Sequence, residues 1–95
     1  MKRNMTLLRQ LVFAIEEMKK PTLSKSLKVK GEFSNAEIVY HCSLLNDAKL
    51  IVCDQMVRDP DDGLEYLMIY RLSYAGHDFA DEARAVIAKD RPVTK

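Results

Sequence analysis

Two runs rich in β-branched and aromatic residues, KLIVCDQMV (residues 49–57) and EYLMIYRLSY (residues 65–74), flank the segment RDPDDGL, and nothing else in this chain restricts its fold as tightly. Proline and Asp-Gly turn chemistry between two such runs predicts a β-hairpin. What surrounds the hairpin reads as helical. Ser34 followed three residues later by Glu37 is a capping-box arrangement, in which each side chain satisfies the other residue's free backbone N–H, so a helix starts there and runs to Ala48. Its inner face collects Ile38, His41, Leu44, Leu45 and Ala48, with Cys42 on the border; its outer face collects Asn35, Val39, Tyr40, Ser43, Asn46 and Asp47. Beyond the hairpin a last helix is expected over residues 76–89. There Phe79, Ala80, Ala83, Val86 and Ile87 share a face, Asp78, Asp81, Glu82 and Arg84 lie mostly outside it, and an acidic first turn and a terminal lysine suit the helix dipole.

The chain opens on a further amphipathic helix, residues 4–19, with Leu8, Leu11, Val12, Ile15 and Met18 at helical spacing, Leu7 and Ala14 on the flank, and Pro21 beyond its end. At about 100° per residue Phe13 lands on the polar side, where it needs cover from the last helix or from a second subunit. Between these helices, LSKSLKVKGEF alternates Leu27 and Val29 with Lys28 and Lys30 and stops at Gly31, which predicts a short strand with an outward lysine face. Lysines at a sheet edge also discourage edge-to-edge pairing, so that face has a purely structural use as well.

Ninety-five residues suffice for one small domain, expected over residues 1–90, with RPVTK (residues 91–95) as a frayed tail. A core this small would gain from a dimer interface. Fifteen basic residues nearly cancel fourteen acidic ones, so any electrostatic function must come from local clustering. No apolar run approaches the roughly 18 residues of a membrane span, and the basic start MKRNMT leads into an amphipathic helix, so a soluble, cytoplasmic protein without membrane attachment is expected. Cys42 and Cys53 lack a CxxC spacing and sit among apolar residues, as reduced thiols serving as small hydrophobes do.

Helix, strand, helix, hairpin, helix is the order of a winged-helix domain of the α+β class, with the hairpin as the wing. The segments MKRNMTLLRQLV, EIVYHCSLLNDAKLI and RLSYAGHDFADEAR resemble those of a small bacterial and phage domain-of-unknown-function family that is similar to winged-helix regulators. The Met-Lys-Arg start and the pairs Tyr40-His41, Leu44-Leu45 and Gly76-His77 carry the resemblance. Two positions depart from it: Lys49 stands where that family tends to place glycine, and Tyr74 where tryptophan is usual. The resemblance implies a winged-helix fold and a phage or prophage setting, and no established activity.

A winged helix reads duplex DNA by laying one helix in the major groove while flanking basic residues neutralise phosphates. The candidate reading helix offers Asn35, Tyr40, Ser43 and Asn46 to base edges or phosphates. It has no cation before Lys49. The wing tip is acidic, with Asp59, Asp61, Asp62 and Glu65 against Arg58, so phosphate contacts are expected from Lys2, Arg3, Arg9, Lys19, Lys20, Lys25, Lys28 and Lys30 instead. DNA binding by a dimeric phage or prophage regulator is therefore the first expectation. The second is a winged-helix module that binds a host or phage protein through Tyr40, Phe13 or the acidic wing.

No catalytic activity, metal or cofactor is expected. His41 and Cys42 point about 100° apart on a helix, and with Cys53 and His77 they give no ligand-type spacing. DPDDG lacks the alternating ligands and distal glutamate of a calcium loop, and no glycine-rich phosphate loop exists. His41, between Ile38 and Leu45, reads as a hydrogen-bonded core residue, and His77 as a first-turn residue with its ring near the sheet.

Overall fold

A computed structural model of the chain describes residues 1–90; the expected tail RPVTK lies outside the described residues. The elements are α1 (Met5–Glu16), β1 (Thr22–Leu23), α2 (Asn35–Asp47), β2 (Ile51–Arg58), β3 (Glu65–Leu72) and α3 (Tyr74–Asp90), with one 3-10 turn, Ser24–Ser26, directly after β1. The strands form an antiparallel sheet in the order β1-β3-β2. This is a small α+β fold in the expected element order.

The core forms where α1 crosses the sheet. Asn4 caps α1, its Oδ1 accepting from the Leu7 N–H at 3.1 Å. The spacing of Leu7, Leu8, Leu11, Val12 and Ile15 then turns all five inward. Each buried aliphatic side chain of this size contributes about 1.5–3 kcal/mol. They meet Leu45 and Cys42 of α2, Ile51, Leu67, Ile69 and Leu72 of the hairpin, and Ala80 of α3. Phe13 is covered by α3, as one of the two expectations had it: the Arg84 guanidinium lies 5.2 Å from its ring centre and also bonds the Glu16 carboxylate.

α2 begins with the expected capping box, Ser34 Oγ accepting from the Glu37 N–H at 3.1 Å and Glu37 Oε1 accepting from the Ser34 N–H at 3.2 Å. It ends in a Schellman motif. The Leu50 N–H donates to the Leu45 carbonyl and the Lys49 N–H to the Asn46 carbonyl, both at 2.9 Å, while Lys49 takes the left-handed φ of 60°. This position normally takes glycine because a Cβ crowds the backbone there. Lys49→Gly is expected to stabilise the fold by about 0.5–1 kcal/mol, read as a raised urea midpoint at unchanged m-value.

The turn after α2 also anchors the start of α3. Ser73 N–H donates to the Leu50 carbonyl at 2.9 Å, and Ser73 Oγ donates to the Lys49 carbonyl at 2.7 Å while accepting from the Gly76 N–H at 3.0 Å. Ser73 is thereby the N-cap of α3 and the bolt between the two junctions. Gly76 packs directly on the Leu50 carbonyl, leaving no room for a Cβ.

Several expectations need correction. The strand lies at Thr22–Leu23 and not at Leu27–Lys30, because Thr22 and Leu23 pair with Ile69 and Met68 and Ser24 then turns the chain off the sheet. Leu27 is buried and Val29 half-buried, so the apolar-lysine alternation survives without strand pairing. α3 starts two residues earlier than expected, at Tyr74, which leaves no acid in its first turn. His77 is exposed and turned to Glu16, 4.0 Å away, instead of toward the sheet. Ala48 caps α2 in an exposed position, and Cys42 moves from the border to full burial. Its thiol is pushed up to about 12, chiefly by burial and secondarily by Cys53. Both cysteines are free thiols.

Candidate nucleic-acid interface

Sequence reasoning assigned DNA contact to α2 and to the basic residues around α1 and the Lys19–Lys30 stretch, and set the acidic tip of the β2–β3 hairpin aside. The hairpin tip owes its shape to its acidic residues. Asp59 Oδ1 accepts from the Asp61 N–H at 2.9 Å, Asp62 Oδ1 accepts from the Leu64 N–H at 2.8 Å, and Gly63 supplies the left-handed φ of 72° that closes the turn. Asp59 is buried, only 6% exposed, and its carboxylate is held by Lys25. Lys25 also lies 3.6 Å from Asp62 and 5.1 Å from the centre of the Tyr66 ring. The Tyr66 hydroxyl donates to Asp62 at 2.5 Å. That bond, the Leu64 N–H and Lys25 together hold the Asp62 carboxyl below its usual range, and the same bond raises the Tyr66 phenol. Arg58 is engaged too, with the Gly63 carbonyl at 2.7 Å and Glu65 at 3.2 Å.

The hairpin tip is thus less acidic at its surface than its sequence suggests, but Lys25 is consumed in making it so. Among the expected phosphate contacts Lys25 belongs to the hairpin turn. The other cations fall into separate places. Lys2 and Arg3 are exposed ahead of α1 and share a cleft with Glu37 and His41 on the first two turns of α2. Lys19 and Lys20 are exposed beyond the opposite end of α1, a helix of about 18 Å at 1.5 Å per residue. Arg9 is half-buried on α1 itself. Lys28 and Lys30 are exposed on the rim of a groove beside α1, where the Gln10 side chain donates to the Lys30 carbonyl at 3.1 Å and accepts from its N–H. No spacing signal marks Gln10 in advance, since its partner is 20 residues away.

On α2 the candidate base-reading residues share a side but not an exposure. Asn46 is exposed, whereas Asn35, Tyr40 and Ser43 are half-buried. The Tyr40 ring stands edge-on to the His41 ring, centres 5.4 Å apart.

His41 ties the two ends of this surface together. Its Nε2 lies 2.9 Å from the Asn4 backbone nitrogen and its Nδ1 2.7 Å from the Glu37 carbonyl oxygen. A backbone N–H only donates and a carbonyl only accepts, so Nδ1 carries the proton and the ring is the neutral Nδ1–H tautomer. The expected core histidine is therefore also a clamp that holds the segment carrying Lys2 and Arg3 against α2.

Among the described residues no three His, Cys, Asp or Glu side chains converge as a metal site, and no helix is long and apolar enough to cross a membrane. No curated protein and no solved structure matches the chain. A family model does match, over residues 2–87, and it spans every element from α1 through the hairpin to most of α3. The matched range takes in the Asn4–His41 clamp, the turn after α2 and the Ser73–Gly76 bolt, and the chain belongs to the family of hypothetical proteins DUF2513.

Proposed function

We propose that this protein is a winged-helix DNA-binding protein, a regulator of phage or prophage type without catalytic activity. The observation that carries the reading is the sheet order β1-β3-β2, with α2 feeding directly into the strand that begins the wing. In that arrangement α2 is the recognition helix, and the non-helical Leu27–Phe33 segment stands where the preceding helix of a helix-turn-helix would lie. Asn35, Tyr40, Ser43 and Asn46 face the bases. Lys2 and Arg3, clamped beside the first turn of α2, and Lys28 and Lys30 supply phosphate contacts, with Arg9, Lys19 and Lys20 at the periphery.

Fluorescence anisotropy with a random-sequence duplex at low salt tests this directly. Affinity is expected to fall linearly with salt on a log-log plot, and Lys2→Gln with Arg3→Gln to lower the slope by about 2, one unit per phosphate contact. Absence of binding at low salt would overturn the reading. A second reading is favoured by the wing tip, where Asp61 is exposed near Leu64, itself 50% exposed. An acidic, partly apolar tip suits a basic protein partner better than a phosphate backbone, and a negative DNA result with retention of a protein on the immobilised chain, lost in Leu64→Ser, would favour that module.

A further inference from the structure

The groove beside α1 has a use that DNA contact does not require. Its floor is Phe13 and Ala14 of α1 and Met18 just beyond the helix, with Leu27 opposite, and the open groove has a volume of about 610 Å³. That volume falls within the range of small-molecule sites. It exists because the segment after the 3-10 turn is not a helix: an extended chain leaves uncovered the α1 surface that a helix packed there would bury.

Both ends of the groove are closed. At one end the chain reverses from α1 through Pro21 into β1, bringing Thr22 beside Met18. At the other, the paired Gln10–Lys30 hydrogen bonds join α1 to the facing segment. From Gln10 to the end of α1 at Glu16 is about 9 Å along the helix, with Met18 just beyond it. A partner helix would have to lie across this opening and could lower little more than one side chain into it. A small molecule fits along its length.

The rim sets the charge. Lys28 and Lys30 both line the groove while Val29 between them packs against the core, and neither lysine forms an ion pair among the described residues. Glu17 is the single acid on the lining. We infer that the groove between α1 and the Leu27–Lys30 segment binds an organic carboxylate with an extended apolar body, its chain over Phe13, Ala14 and Met18 and its head group between Lys28 and Lys30. Charge-assisted bonds to two lysines select the anion, and the closed ends limit its length.

Titration of the 15N-labelled protein with decanoate, below its micelle concentration, tests the inference without DNA. Saturable shifts are expected in the amides of residues 10–18 and 27–30. Decylamine, with the same chain and the opposite charge, should bind at least about tenfold more weakly. Lys28→Gln with Lys30→Gln should weaken decanoate by about tenfold, and Ala14→Phe, which fills the floor, should abolish the shifts while the rest of the spectrum stays folded. Equal binding of acid and amine, shifts elsewhere on the surface, insensitivity to the lysine changes, or no binding at all would overturn it. None of these results depends on whether DNA is bound.

Discussion

Gly76→Ala is expected to remove about 3 kcal/mol or more of folding stability and to lower Tm by on the order of 15 °C, a drop visible in any denaturation experiment. The cause is space, not backbone conformation. A Cβ at this position would overlap the Leu50 carbonyl, and Leu50 is held by its own backbone: its N–H closes the turn after α2 and its carbonyl accepts from Ser73. Relief requires moving either the end of α2 or the start of α3. Either movement breaks the Ser73 bridge, whose hydrogen bonds contribute about 0.5–1.5 kcal/mol each in addition to the overpacking cost of about 1–3 kcal/mol. Ser73→Ala is the control, because it removes the cap without the clash and should cost only about 1 kcal/mol. A Gly76→Ala protein whose urea midpoint equals that of the wild type would show that the two junctions are not in contact.

That junction also shows what a sequence can and cannot disclose. The turn chemistry of RDPDDGL and the capping box at Ser34 are local, with causes and effects within four residues, and both are found where they were expected. The lysine alternation at Leu27–Lys30 predicts a strand that does not form, because alternation records which side faces the core and not whether a neighbour offers hydrogen bonds; β3 offers them to Thr22 and Leu23 instead. The hairpin carries two register shifts, around Val52–Cys53 and Cys53–Met56, that leave no mark in its apolar pattern.

The candidate interface was legible in part for the same reason. Charge counting placed Lys25 with Lys28 and Lys30, since all five lysines of residues 19–30 lie in an acid-free stretch. The partner that removes Lys25 from that set, Asp59, is 34 residues away. The acidity of the hairpin tip and the basicity of the lysine segment are thus partly the two halves of one ion pair. Formal charge along a chain overstates both.

The second large effect is expected at His41. His41→Ala should cost about 3–5 kcal/mol, combining an empty space in the core with an Asn4 N–H left without an acceptor. His41→Phe separates the two contributions: the ring volume is nearly kept, so the remaining loss of about 1–3 kcal/mol belongs to the orphaned donor. The tautomer gives an independent check. Nitrogen chemical shifts of the His41 ring should report a proton on Nδ1 and an unprotonated, hydrogen-bond-accepting Nε2, and an Nε2–H tautomer would be incompatible with the bond from Asn4. In His41→Phe the Asn4 amide should also lose its protection from hydrogen exchange while the amides of Leu45 and Ile69 keep theirs, because only the clamp and not the core is opened. Released from α2, the segment carrying Lys2 and Arg3 no longer starts in position beside the first turn of that helix. Under the DNA-binding reading, the folded His41→Phe protein should then bind duplex more weakly than wild type although no residue facing the duplex has changed, since the ordering that the clamp supplied must now be made good on binding.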